Sequence, residues 1–341
     1  MRKNIFILAC GLLPALALAG DAQAQGQNGG GGQNSTISAT ITTDAALGNV
    51  VSAASGDTVF TVDPSTGAVS RSSGSGVRLT SASTRAMVTV SCSGQGNQCS
   101  QATINVKIGP AGSPTLRARA LTNFTVSMGS ATLASTPTTG STITFQITAL
   151  SNGGSGTFYV GFDYPVAGDN SGLSSGNASS GFYVDVAAAP TTPTSGPTST
   201  VSSAVFRPLS LSNPQGLQFG TIVRPASGTG SVAIDASTGA RTPSGGAVGL
   251  ASPTPSNATY VVSGEGGQAF SLSIPPSFDM TTSGGTATVT LTSTATGSQT
   301  LSSTLGSAGT FPFSIGGSMP VSSTAKDGAY SGSFTVSVQY N

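Results

Sequence analysis

Eleven carboxylate side chains, Glu265 the only glutamate among them, and no histidine make up the acid–base repertoire of this 341-residue chain. Asp57 with Asp63 and Asp163 with Asp169 are each six residues apart. General acid–base work needs carboxylates that converge in one pocket with their pKa values pushed apart. Six residues around a strand or a turn do not force that. Asp63-Pro-Ser-Thr-Gly67 and Asp235-Ala-Ser-Thr-Gly239 read instead as turns whose aspartate bonds its own backbone. A Ser–His–Asp site is excluded without histidine. No Gly-rich loop is followed by the lysine of a phosphate cradle. Asp169-Asn170 and Asn177 are too few oxygens for a calcium loop. Zinc would need more ligands than Cys92 and Cys99 supply. Arg117 and Arg119 read as solvated charge on one face of an extended segment, or as a contact to an acidic sugar or partner. Tyr159, Phe162, Tyr164, Phe182 and Tyr183 read as a domain core, or as a sugar-binding platform. The expectation is a protein without catalytic residues, cofactor or metal.

The elements that position these residues are strands. Good helix formers are scarce, and Gly, Ser, Thr and the β-branched residues dominate. Thr58-Val-Phe-Thr-Val62, Ala86-Met-Val-Thr-Val90, Ala102-Thr-Ile-Asn-Val-Lys-Ile108 and Gly156-Thr-Phe-Tyr-Val-Gly-Phe162 alternate or run β-branched. So do Ala269-Phe-Ser-Leu-Ser-Ile274, Ala287-Thr-Val-Thr-Leu291 and Phe334-Thr-Val-Ser-Val338. Short alternating strands with frequent turn residues indicate β-sandwiches, one face inward and the hydroxyl face wet.

The chain also repeats itself. Leu47–Ala68 and Phe219–Ala240 align without a gap at an offset of 172 residues, with 10 identities in 22 positions. An offset of this size is a whole domain rather than a solenoid unit. Near the ends of the copies the offset falls to about 152, so the first copy carries extra residues. The organisation expected is a signal peptide over 1–24, a disordered Gly/Gln/Asn lead over 25–36, a first sandwich over 37–187, a Pro/Thr/Ser linker over 188–203 and a second sandwich over 204–341. The fold class expected is all-β, two tandem immunoglobulin-like sandwiches.

Arg2 and Lys3, the apolar run Ile5–Ala19 and Ala22-Gln-Ala24 have the pattern of an export signal cleaved near Gln25. The run is too short for a membrane span and is broken by Pro14. The mature chain would be near neutral, which argues against nucleic-acid binding. Charged residues are only 7% of the chain, so a hydroxyl-rich surface has little like-charge repulsion to keep copies apart. Cys92 and Cys99 flank a Gly-rich tip, and in an oxidising compartment they are expected to close a disulfide there.

Arg207-Pro-Leu-Ser-Leu211, Leu217-Gln-Phe-Gly-Thr-Ile-Val223, Gly264 and the closing Gly328-Ala-Tyr-Ser-Gly-Ser-Phe-Thr-Val-Ser-Val-Gln-Tyr-Asn341 resemble domain of unknown function family 4402. The resemblance is looser in the first half. It implies a pilin-like sandwich akin to Mat-type fimbrial subunits, an exported non-enzymatic surface protein of a Gram-negative bacterium, and assembly by β-strand addition. Its implied partners are copies of itself or other surface subunits, and a periplasmic chaperone. Two segments are candidates for strand exchange. Ile37, Ala39 and Ile41 form an alternating stretch that is either donated or the first strand of its own domain. Phe334, Val336, Val338 and Tyr340 form the last strand. A secreted carbohydrate- or surface-binding module that does not polymerise is the alternative.

Overall fold

The computed structural model describes residues 24–25, 35–94 and 98–341. The signal peptide expected over 1–24 lies outside these residues except for Ala24. The lead expected over 25–36 lies outside them between 26 and 34. Ser35 and Thr36, assigned to that lead from the sequence, already belong to a strand.

The chain is all-β, in two sandwiches. The first uses β1 (Ala24–Gln25), β2 (Ser35–Thr43), β3 (Ala46–Val51), β4 (Thr58–Val62), β5 (Val69–Ser73), β6 (Val77–Arg78) and β7 (Ala86–Gly94). After the four-residue helix α1 (Gln98–Gln101) come β8 (Ile104–Ala111), β9 (Thr122–Met128), β10 (Ile143–Ile147), β11 (Ser155–Val166), β12 (Gly176–Ala188) and β13 (Thr198–Phe206). The second uses β14 (Ser210–Gln215), β15 (Ile222–Val223), β16 (Thr229–Ile234), β17 (Arg241–Ser244), β18 (Val248–Gly249) and β19 (Ala258–Glu265). It continues with β20 (Ala269–Ser273), β21 (Ser277–Thr282), β22 (Gly285–Ser293), β23 (Gly297–Thr300), β24 (Ala308–Ser322) and β25 (Ser337–Tyr340).

One sheet has the same order in both sandwiches. In the first it runs β2-β7-β11-β4-β5, with β9 also on β11. In the second it runs β14-β19-β24-β16-β17, with β22 also on β24. The paired Asp turns recur at equivalent corners. Asp63 accepts from the backbone N–H of Ser65 and Thr66, and Asp235 from those of Ser237 and Thr238. Gly67 and Gly239 follow with φ of 76° and 72°, the left-handed conformation that favours glycine.

The alternation seen in sequence is the alternation of burial. In β4 Thr58, Phe60 and Val62 face the core, and in β7 Ala86, Val88, Val90 and Cys92 do. The first sandwich has one continuous core from Ile37 to Val205. The second has two separate patches, one around Val262, Phe270, Phe313 and Ile315, the other around Phe219, Val232, Ile234 and Val289.

The linker drawn over 188–203 is shorter than expected. Thr198–Phe206 is a strand of the first sandwich, and residues 189–197 are tied down on that sandwich. The Ala189 N–H donates to Thr103 C=O at 2.9 Å and the Asn105 side-chain amide to Thr191 C=O at 2.7 Å. Proline prevents ladder bonding only at its own nitrogen, so a Pro-rich stretch can pack without being a strand. Among the described residues no helix is long and apolar enough to cross a membrane.

Candidate functional site

The sandwiches differ in their other sheet. In the first sandwich its order is β10-β8-β12-β13-β3-β6. Strand β13 is inserted between β12 and β3. It runs antiparallel to β12, from Gly176 opposite Val205 to Tyr183 opposite Thr198. It runs parallel to β3, with Ser203 opposite Gly48 and Phe206 opposite Val51. Ser199, Val201, Ser203 and Val205 alternate inward and are buried.

In the second sandwich the same sheet is in two pieces, β23-β20-β25 and β15-β18. The offset of 172 makes β15 the counterpart of β3, since Ile222 and Val223 fall on Val50 and Val51. Their partners agree: Val51 pairs with Val77 in β6 and Val223 with Val248 in β18. The later offset of 152 makes β25 the counterpart of the end of β12. Val186 there pairs with Val106 of β8, as Val338 pairs with Leu272 of β20. Between β25 and β15 no described strand corresponds to β13.

Apolar side chains beside this gap are less buried. Phe182, paired with Ser199 of β13, and the following Val184 are 0% exposed, whereas their counterparts Phe334, which packs on Phe278, and Val336 are only half-buried. Residues 332–336 join no ladder, although Ser331 makes an isolated bridge to Thr281. A cavity of about 1240 Å3 lies on the β15 and β21 side of this gap, lined by Phe219, Ile222, Phe278, Met280, Met319 and Tyr330 among others, but not by Phe334, Val336 or β25. β21 borders it, having turned away from the β20 side to pair with β22. An edge of this kind presents unpaired N–H and C=O groups, which is the template for adding a strand.

The last strand is held at its far end. The Tyr340 hydroxyl accepts from the Glu265 backbone N–H at 2.7 Å and donates to the Arg207 C=O at 2.9 Å. Burial pushes this hydroxyl up to about 12, with the Glu265 and Asp169 carboxylates acting in the same direction. The Glu265 carboxylate, fully buried, accepts from the backbone N–H of Arg207 at 3.1 Å and of Gly306 at 2.5 Å. The Arg207 guanidinium reaches Asp169 at 3.5 Å.

Asp169 also pairs with Arg117. The sequence reading of Arg117 as solvated charge is overturned. Its side chain is 0% exposed, donating to Ser52 Oγ at 2.6 Å and to Leu173 C=O at 3.0 Å. A buried guanidinium is tolerable because a carboxylate and hydrogen-bond acceptors surround it. Arg119 is half-exposed and lies 3.5 Å from Asp57. Asp163, Asp63 and Asp235 are likewise engaged apart from one another. Asp163 accepts from Thr61 at 2.5 Å and Asn123 at 2.7 Å. Hydrogen bonds from Ser65 and Thr66 hold the Asp63 carboxyl below its ordinary range, and those from Ser237 and Thr238 hold Asp235 at about 2.

Phe162, Tyr164 and Phe182 are fully buried, with Phe162 and Phe182 packing on Phe124. Tyr159 lies under the Arg85 guanidinium at 3.4 Å and Tyr183 near the Lys107 ammonium at 5.7 Å. These five side chains therefore form core and covered flank rather than an open platform. Cys92 and Cys99 are joined by a disulfide between β7 and α1.

Of the strand-exchange candidates, Ile37, Ala39 and Ile41 sit in β2, paired along β7 within the first sandwich. Val338 and Tyr340 pair with β20, and Phe334 and Val336 flank the gap. Sequence reasoning missed β13. Its signal was the alternation Val201, Ser203, Val205 just after the prolines.

The sequence profile of the family described as "Domain of unknown function (DUF4402)" matches residues 209–340, the second sandwich, in agreement with the resemblance read from its motifs. A search among curated proteins returns no match. Among solved structures, the chain aligns with the crystal structure of the CsuC-CsuE chaperone-tip adhesion subunit pre-assembly complex from the archaic chaperone-usher Csu pili of Acinetobacter baumannii. That alignment has 10% identity and a TM-score of 0.20, covering 74% of this chain and 88% of that one.

Proposed function

We propose that this chain is an exported, non-enzymatic structural or adhesive subunit of the bacterial cell surface, which joins its neighbours by β-strand addition. The observation that carries the reading is the unfilled strand position between β25 and β15, at the place that β13 occupies in the first sandwich. The match of residues 209–340 to the family whose resemblance implies a pilin-like sandwich supports it, as do the signal-like N-terminus and the low charge. The two halves are read as copies of one sandwich, the first completed from within the chain and the second from outside. A periplasmic chaperone would shield the open edge before assembly, because an exposed apolar edge aggregates.

The reading is tested at Val336. The Val184 N–H donates to Pro197 C=O at 3.0 Å on the β13 side, so the N–H of its counterpart Val336 faces the gap. Val336→Pro removes that donor and leaves the β20 ladder, which begins at Ser337, in place. Expected is a folded chain that no longer enters SDS-resistant surface assemblies. Assemblies of unchanged yield would overturn strand addition at this edge.

A further inference from the structure

The two sandwiches meet end to end through side chains as well as strands. Val51 and Leu79 of the first sandwich pack on the second sandwich's apolar patch around Val262 and Phe313. Ser52, next to Val51, accepts from Arg117, whose partner Asp169 reaches the Arg207 guanidinium at 3.5 Å where the chain enters the second sandwich. Val77, on the same edge as Leu79, stays outside this joint and is 51% exposed.

The far end of the second sandwich carries the same set. The offset of 172 puts Val223 at the place of Val51. Leu250 takes the place of Leu79. The Leu79 N–H donates to Asn49 C=O and the Leu250 N–H to Thr221 C=O, each at 2.9 Å, and Asn49 and Thr221 are themselves 172 apart. Asp327 follows β24 as Asp169 follows β11, and it too is held by an arginine, Arg224, at 3.2 Å. Here the set is open to solvent. Val223 and Leu250 are 46% and 45% exposed, and the Asp327 side chain is 88% exposed.

We infer that Val223, Leu250 and Asp327 form a docking face for the end of a sandwich on a different chain, one that carries an arginine where this chain has Arg207. The partner's apolar end covers Val223 and Leu250, and its guanidinium bonds Asp327, as in the joint within this chain. A second copy offers a different surface. At the leading end of its first sandwich, Ser35 and Ser93 stand at the places of Arg207 and Glu265. Strand pairing fixes that equivalence, since Ala39 lies opposite Val90 as Leu211 lies opposite Val262. The inference rests on the reading of the chain as a surface subunit with neighbours, and not on strand addition, because the contact is made by side chains at the end of the sandwich.

The test is thiol labelling of the full exported chain, on intact cells and after purification. Leu250→Cys and Val248→Cys place single thiols two residues apart. Cys92 and Cys99 are already joined, and Cys10 belongs to the expected signal peptide. Val248 is the control, because its counterpart Val77 is left exposed by the first joint. A maleimide dye is expected to label residue 250 at least about tenfold more slowly on cells than on purified chain, because the centre of a docked face excludes water and reagent. Residue 248 is expected to label equally fast in both. Adding Asp327→Arg, which sets like charges face to face, is expected to restore fast labelling at 250. A photo-crosslinking p-benzoylphenylalanine at position 248, on the rim, is expected to capture an arginine-bearing segment that leads into the first strand of another chain's sandwich, identified by mass spectrometry. Capture of this chain's own peptides would show that a second copy docks here and would overturn the inference. Labelling of 250 at one rate on cells and in purified chain, or protection that Asp327→Arg leaves intact, would overturn it as well. SDS-resistant assemblies report separately on strand addition, so the two failures are distinguishable.

Discussion

The hydroxyl of Tyr340, the final residue of the last strand, accepts a hydrogen bond from the buried backbone N–H of Glu265 at 2.7 Å. It closes β25 onto β19 and, through the Arg207 C=O, onto the segment that leaves β13. Tyr340→Phe keeps the ring, which packs 5.9 Å from Phe206, and orphans one donor and one acceptor. A buried polar group left unpaired costs about 1–3 kcal/mol. Urea unfolding should show a loss in that range confined to the second sandwich. The same hydroxyl gives an alkaline signature. Its folded pKa, about 12, is above the unfolded value of 10.0, so its stabilisation is complete below pH 10 and fades as pH rises toward 12. The Phe variant should lack that part of the alkaline loss.

The Asp235 turn predicts the opposite limb. Its carboxyl is held at about 2 against an ordinary 3.8, chiefly by the Ser237 hydroxyl and the Thr238 N–H. A depressed folded pKa contributes stability above the unfolded value and loses it as pH falls from 3.8 toward 2. Asp235→Ala should flatten that acid limb in the second sandwich, and Asp63→Ala should do so in the first. A pH series of thermal midpoints checks both. An unchanged acid limb would show that the turns do not couple to folding.

What could be read from the chain was what its local pattern encodes. Alternation placed β4, β7, β8 and β22, the recurring Asp-x-Ser-Thr-Gly placed equivalent corners, and Cys92 and Cys99 showed their disulfide, although β7 and β8 lie in different sheets and form no hairpin. Three features were not local. β13 was hidden by the prolines before it, and its parallel pairing with β3 joins residues about 155 apart, such as Ser203 and Gly48. Arg117 looked exposed because its partners Ser52, Leu173 and Asp169 lie far away in sequence. The gap beside β25 is a missing neighbour, and no residue pattern announces a strand that the chain does not supply.

Arg117 should be among the most sensitive positions in the first sandwich. Removing it leaves the Ser52 hydroxyl and the Leu173 C=O without their donor and takes one of two cations from Asp169, a loss of about 1–3 kcal/mol. Arg117→Met should lower the unfolding free energy by that amount, read from the shift in denaturant midpoint at unchanged m. Asp169→Asn in the same chain should recover part of the loss, since the two sites are coupled. Additive losses would mean that Asp169 is held by Arg207 and solvent instead.

The Cys92–Cys99 disulfide closes a loop of seven-residue separation, for which loop-closure entropy gives about 2 kcal/mol. Replacing both cysteines by Ser should destabilise the first sandwich by about that much and leave the second unaffected. Both half-cystines are buried, so reduction without replacement should give a similar loss. Loss from the second sandwich would mean that the two unfold as one unit.

β13 offers the most direct check on how this fold is completed. Thr194 and Ser195 are exposed, while β13 after them is hydrogen-bonded on both edges. A protease site inserted between Thr194 and Ser195 would separate the chain into a first sandwich lacking its strand and a second carrying that strand at its front. If β13 holds by its ladders and by buried Val201 and Val205, the pieces should co-elute after cleavage and part only in denaturant. Val205→Asp places an unpaired carboxylate in the core, which burial strongly disfavours, and should make the cleaved pieces separate. Prompt separation of the cleaved parent chain would mean that the covalent link, rather than the strand, keeps the sandwiches together. The acceptor site inferred beside β25 would then lose its template.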